Sequence, residues 1–254
     1  MAGGAGVTNL HPDLEPRFEP LPTPARALAI GAHPDDIEFG AGGTVADWAR
    51  AGCHVVMAVM TDGSKGSWNP EEDPASLVER RAHEQRAAAD ALGAAEVVFL
   101  GHVDGELEYS MGLRAQIASL IRTSRPDVVI SHDPWARYEI HPDHRATGWA
   151  VVDGAVAARD HLFFPDQGLE QHRPEALLLW RAAEPDHWEN ISATFDVKLA
   201  ALLHHESQHH TTMGNAGSGE SERDQFERHL REYGRTQGAA VGLELAEAFK
   251  RIRL

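Results

Sequence analysis

Short apolar runs recur along the chain, and each gives way to a polar loop before a helix-like segment begins. The runs cover residues 27–32, 54–60, 96–100, 128–131 and 176–180, with helical patterns at 45–51, 76–92, 113–123, 143–158 and 195–205 between and after them. Runs without polar alternation suit strands that are covered on both faces. The rhythm therefore predicts an α/β fold of Rossmann-like type, a mainly parallel sheet with helices on both faces and right-handed crossovers. No linker divides the 254 residues, so a single domain is expected over 25–254, preceded by an N-terminal extended arm over 1–24 that carries five prolines. Residues 211–221 read as a mobile polar loop, and 222–250 as helix broken near Gly234 and Gly238.

Charge narrows the partners. With 39 acidic against 23 basic residues and a net charge of −16, the chain repels phosphate backbones and anionic lipid, so neither nucleic acid nor membrane is expected. The single cysteine, Cys53, admits no intramolecular disulfide and fits a reducing compartment. No basic region followed by an apolar run opens the chain, and no apolar stretch approaches membrane-spanning length. The expectation is a cytoplasmic protein.

The first apolar run ends in Gly31, and His33, Asp35, Asp36 and Glu38 follow at once. His33 and Asp36 lie three apart, so a helical turn starting at Pro34 brings their side chains together. Imidazole plus carboxylate is a usual first shell for Zn²⁺, other divalent ions remaining open, and a catalytic site of this kind keeps three protein ligands and a water. The third candidate is His144, because His141-Pro142-Asp143-His144 repeats the same chemistry after a later strand. Asp35 is then placed to take a proton from water, and His141 to donate a hydrogen bond where negative charge develops. Those pieces make a hydrolase.

Ala32-His33-Pro34-Asp35-Asp36 with Glu38, then Gly42-Gly43-Thr44, and later His141-Pro142-Asp143-His144-Arg145, together resemble the two motifs of the LmbE-like, or PIG-L, family of zinc-dependent N-deacetylases. Thr61-Asp62-Gly63 with Lys65-Gly66, Arg81 with Glu84, Asp104-Gly105 and Arg125-Pro126-Asp127-Val128 match as well. The resemblance implies a Rossmann-like fold, Zn²⁺ held by His33, Asp36 and His144, Asp35 as general base and His141 as polarising or acid residue. It further implies removal of an acetyl group from the amine of an N-acetylglucosamine-type small molecule, with amidase action on sugar-thiol conjugates as the alternative, and homo-oligomers. Lys65, Arg81 and Asp104 are the residues expected to meet the substrate. Whether Asp35 or His141 protonates the leaving amine stays open.

Blander readings compete. Asp143 opens a helix and can cap it, or can orient a histidine. Arg81 and Glu84 have the spacing of a helix-surface ion pair. Adjacent histidines over 204–210 point in different directions on a helix, so no metal is assigned to them. A protein that only binds sugar or metal would need neither Asp35 nor His141. Gly40-Ala41-Gly42-Gly43 does not follow the strand as G-x-G-x-x-G, which argues against a dinucleotide site.

Overall fold

Five parallel strands set the frame: β1 (Arg26–Gly31), β2 (His54–Thr61), β3 (Glu96–His102), β4 (Val128–His132) and β5 (Ala176–Trp180). The computed structural model describes residues 20–217 and 219–254, so most of the expected arm over 1–24 lies outside the described residues. Strand order in the seven-stranded sheet is β3-β2-β1-β4-β5-β7-β6. The last two, β6 (His187–Asn190) and β7 (Ala246–Arg253), run antiparallel to their neighbours.

Alternation along β1 feeds two cores. Ala27 and Ala29 face one side, with Val45 and Trp48 of α1 (Asp36–Arg50) and Ala88 and Leu92 of α2 (Pro74–Leu92). Leu28 and Ile30 face the other, with Ile117 and Ile121 of α3 (Met111–Ser124) and Ala150 and Val151 of α4 (Pro142–Ala158). A smaller cluster joins Phe195 and Leu202 of α5 (Phe195–Leu203) to Phe226 of α6 (Glu220–Ala239) and to Met213. Burial of Met213 and Ala216 anchors the segment read as a mobile loop.

Two local expectations are corrected. Residues 222–250 are not one interrupted helix: α6 passes through Gly234 and Gly238, and 246–253 form β7, paired on both edges. The first helix begins at Asp36 rather than near Val45, with non-helical backbone at Ala41. Glycines at 40, 42 and 43 are poor helix formers, and they have packing reasons to be there. A Cβ on Gly40 would lie 2.4 Å from the Trp180 ring, and one on Gly43 would lie 2.5 Å from Ile191. At the break, the Gly43 and Thr44 N–H groups donate to Glu247 at 2.9 and 2.8 Å, while Lys198 Nζ donates to the Phe39 carbonyl at 2.8 Å and to Glu247 at 2.5 Å. The side chains of β7 and α5 thus satisfy the backbone groups that a broken helix releases.

β1 pairs with β2 on one side and β4 on the other, so the connections after β1 and β4 part at this point of the sheet. A crevice at the carboxyl ends of such strands is where open α/β sheets bind ligands. Both histidine-bearing segments emerge there. Among the described residues, no helix is long and apolar enough to cross a membrane.

Candidate active site

His33 and Asp36 leave the end of β1, and His141 and His144 come from the start of α4, 105 or more positions later. The fold brings them together. Asp36 lies between two imidazoles, with Oδ2 3.3 Å from His33 Nδ1 and Oδ1 3.3 Å from His144 Nε2. The His141 ring stacks on His144 at 4.7 Å and meets His33 edge-on at 4.5 Å. His33, His141 and His144 offer ring nitrogens within 4.8 Å of one another, as do the donor atoms of Asp36, His132 and His144.

The far sides of the two imidazoles beside Asp36 face carboxylates. His33 Nε2 is 3.1 Å from Asp143 Oδ2 and 3.2 Å from Asp104 Oδ1. His144 Nδ1 is 3.4 Å from Glu139 Oε2. Asp143 does not cap α4, since His141 is the N-cap and its Nδ1 accepts the Asp143 N–H at 3.3 Å. Instead Asp143 also accepts the N–H groups of Gly105 and Leu107 at 2.7 and 3.2 Å, fixing the loop after β3.

His132, at the end of β4, was missed as a participant. The Trp180 indole N–H donates to its Nδ1 at 3.2 Å and the Ala32 N–H to its Nε2 at 3.2 Å, and Nε2 also lies 3.3 Å from Asp36 Oδ2. Burial lowers His132 to about 4, so a neutral ring packs beside Asp36. Its sequence signal was a histidine closing an apolar strand, the same signal that His33 carries just past β1.

Charge is concentrated here. Burial works against protonation of His33, yet hydrogen bonds to Asp104, Asp143 and Asp36 push it up to about 12. Burial would also raise Asp36, but the charge of His144 and the close approach of the His132 and His144 rings hold it well below the usual carboxylate range. A divalent cation at His33 Nδ1 would displace a proton from that nitrogen and meet Asp36 there, with Asp104 and Asp143 remaining on the Nε2 side. Asp36, His132 and His144 bring a carboxylate and two imidazole nitrogens within 4.8 Å, the donor types of zinc sites, whereas the expected set of His33, Asp36 and His144 is not gathered so tightly: His33 and His144 approach different oxygens of Asp36.

Asp35 stands beside this group with a left-handed backbone, φ 103°. Its N–H donates to Gln85 Oε1 at 3.1 Å, and Gln85 Nε2 in turn donates to buried Glu38 at 2.6 Å. Burial pushes the Asp35 carboxyl up to about 6 against the charge of Arg81, whose guanidinium is 4.0 Å away. Thr212 reaches Asp35 Oδ2 at 3.4 Å from the segment after α5. Burial, with the neighbouring His33 and His144 charges, keeps His141 below its ordinary value, and its Nε2 is left as the N–H.

Of the three residues expected to meet substrate, Lys65 alone is exposed, pairing with Glu106 at 2.7 Å. Arg81 is buried and donates to the Gly63 and Pro34 carbonyls at 3.0 and 2.7 Å. The glycine loop accommodates it: a Cβ on Gly66 would sit 2.1 Å from the Arg81 guanidinium. Asp104 turns toward His33 and accepts the Lys65 N–H at 3.1 Å. Glu84 does not pair with Arg81 but receives the Ser207 N–H and hydroxyl at 2.8 and 2.6 Å. Of the histidine-dense run, His205 is wholly buried, 3.6 Å from Glu38.

Relatives share this arrangement of elements. A diacetylchitobiose deacetylase from Thermococcus kodakarensis is 35% identical over 193 residues, 75% of this chain and 72% of that protein. A 1D-myo-inositol 2-acetamido-2-deoxy-α-D-glucopyranoside deacetylase from Kineococcus radiotolerans is 32% identical over 60% of this chain, which spans about half of that protein (52%). The solved structure of an N,N'-diacetylchitobiose deacetylase from Pyrococcus horikoshii, with its inhibitor MPG, superposes with a TM-score of 0.82 and 28% identity, covering 91% of this chain and 84% of that one. Residues 28–155, from β1 into α4, match the model of the PIG-L family, described as GlcNAc-PI de-N-acetylase, and the chain belongs to that family.

Proposed function

We propose that the protein is a metal-dependent N-deacetylase acting on a small molecule that carries N-acetylglucosamine. The reading rests on one observation above others: His33 and His144, each backed by carboxylate, turn their remaining nitrogens toward Asp36 beside a buried Asp35. His33, Asp36 and His144 hold the cation, with Zn²⁺ the expected ion. When bound, it supplies Lewis acidity to the amide carbonyl and acidity to a water.

The chain's own residues do the rest. Asp35, with its carboxyl raised to about 6, takes a proton from the attacking water near neutral pH. The His141 Nε2–H donates to the carbonyl oxygen as negative charge develops there. Asp35, which has taken the proton of the attacking water, is the group that returns it to the nitrogen as the C–N bond breaks. Water is added overall, and acetate and a free amine leave. His132 packs beside Asp36 throughout, and Lys65 at the rim exchanges its pairing with Glu106 for a hydroxyl of the sugar. The sugar class is carried over from relatives whose names specify N-acetylglucosamine-containing substrates.

Acetate release from N-acetylglucosamine and N,N'-diacetylchitobiose by zinc-loaded protein tests the reading. Activity lost to a chelator and restored by Zn²⁺ is expected. No release from either sugar, with hydrolysis of a sugar-thiol conjugate amide instead, would move the protein to the amidase alternative. Tight sugar binding with no hydrolysis at all would make it a binding protein.

A further inference from the structure

Besides Asp35, two non-glycine residues near the site hold left-handed backbone conformations, Tyr138 (φ 63°) and Arg181 (φ 58°). Such conformations are disfavoured by the Cβ and persist where the surroundings over-determine them. Neither side chain gains burial in return, being 88% and 60% exposed. Both converge on Glu139.

The chain displays Tyr138 and Ile140 outward, at 88% and 87% exposure, and turns Glu139 in between them. The Glu139 carboxylate then has three neighbours. Oε1 accepts the His141 N–H at 3.0 Å, and Oε2 lies 3.4 Å from His144 Nδ1 and 3.5 Å from the Arg181 guanidinium. The backbone is fixed as well: Glu139 N–H donates to the Ala136 carbonyl at 3.2 Å, and the Glu139 carbonyl accepts Arg145 at 2.7 Å. His144 Nδ1 is a buried atom with no aligned hydrogen bond among the described residues, and this carboxylate stands beside it.

We propose that Glu139 is a positioning residue for metal capture, holding the Nδ1 side of His144 so that Nε2 faces Asp36 and an incoming divalent cation. The inference rests on the reading of His144 as a ligand. A histidine whose second nitrogen is held by a carboxylate keeps one tautomer and one ring orientation and is a more basic ligand. His33 receives this support from Asp104 and Asp143, and Glu139 gives His144 the same. The strained Tyr138 is then the turn that aims Glu139, and Arg181 keeps the carboxylate from swinging to solvent.

Zinc affinity of the metal-free protein, measured by competition with a chromophoric chelator, tests this without reference to turnover. Glu139→Met, which keeps the length of the side chain and removes the acceptor, is expected to weaken zinc binding about 10–100-fold, with the melting temperature of the metal-free protein close to wild type. Glu139→Gln should lose less, and Tyr138→Gly, which keeps the turn, should bind as wild type. Wild-type affinity in Glu139→Met overturns the inference; if that variant does not fold, wild-type affinity in Glu139→Leu does so. His144→Ala runs alongside. If it binds zinc like wild type, the ligand reading itself fails and takes the inference with it; if it loses zinc while Glu139→Met does not, only the role of Glu139 fails.

Discussion

Two of the places where the chain buries carboxylates are finished differently. Glu247, on β7, receives two backbone N–H groups, the Thr44 hydroxyl and the Lys198 ammonium, so its charge is answered by partners within the protein. At the ends of β1 and β4, by contrast, Asp35, Asp36, Asp104 and Asp143 crowd around histidines, and the surplus charge is met by a proton driven onto His33. Burial alone does not mark a functional charge. What separates the two regions is whether the protein completes the set of partners itself or leaves it to an ion and a substrate.

The widest gap between them should appear in catalysis. Asp35→Ala is expected to keep bound metal, since Asp35 is not among the atoms facing Asp36, and to lower turnover by about 10²–10⁴, the usual contribution of a positioned base. Steady-state kinetics with metal analysis on the same sample check this. A variant as active as wild type would remove Asp35 from the chemistry.

At the finished site the expected effect is on stability. Glu247→Ala leaves Lys198 buried without its counter-charge and strips acceptors from Gly43 and Thr44, which should cost about 3–5 kcal/mol. Urea denaturation of the metal-free protein measures it. A loss below about 1 kcal/mol would show that the break in α1 does not depend on this pair, and the contrast between the two regions would lose its structural half.

These two regions were also unequally legible in the sequence. His33, Asp35, Asp36, His141 and His144 stood out because each falls just past an apolar strand or at the entrance of a helix, and chemistry-bearing residues there have few other reasons to cluster. The parallel strands were readable for a related cause, since unbroken apolar runs have one simple use. β7 was not, because its sequence mixes Glu247, Lys250 and Arg251 with Phe249 and Ile252 and so mimics a charged helix. Glu247 sits inside this strand, where it accepts the N–H groups freed at the break in α1. Likewise His132, Glu139 and Gln85 take their meaning from Trp180, Tyr138 and the strained Asp35, contacts that no local spacing records. Lys65, Arg81 and Asp104 matched a pattern, but sequence carried no information on which way Arg81 and Asp104 would point.

The sharpest form of the comparison asks for opposite signs. In the metal-free protein, burial raises the Asp35 carboxyl from 3.8 to about 6. The folded chain therefore holds this proton more tightly than the unfolded chain does. Its contribution to stability is complete below pH 3.8 and is lost as pH rises through about 6. At about 1.4 kcal/mol for each pH unit, ionised Asp35 costs the fold on the order of 3 kcal/mol above neutrality. Asp35→Asn removes that cost, so it should stabilise the metal-free protein at pH 8 and change it little near pH 4, where Glu247→Ala destabilises at pH 8. Denaturation curves at the two pH values decide it. Stabilisation by Asp35→Asn that is equal at pH 4 and pH 8 would mean that packing, not an unanswered charge, sets the difference; no stabilisation at either would mean that Arg81 and the histidines already answer Asp35 as fully as Lys198 answers Glu247.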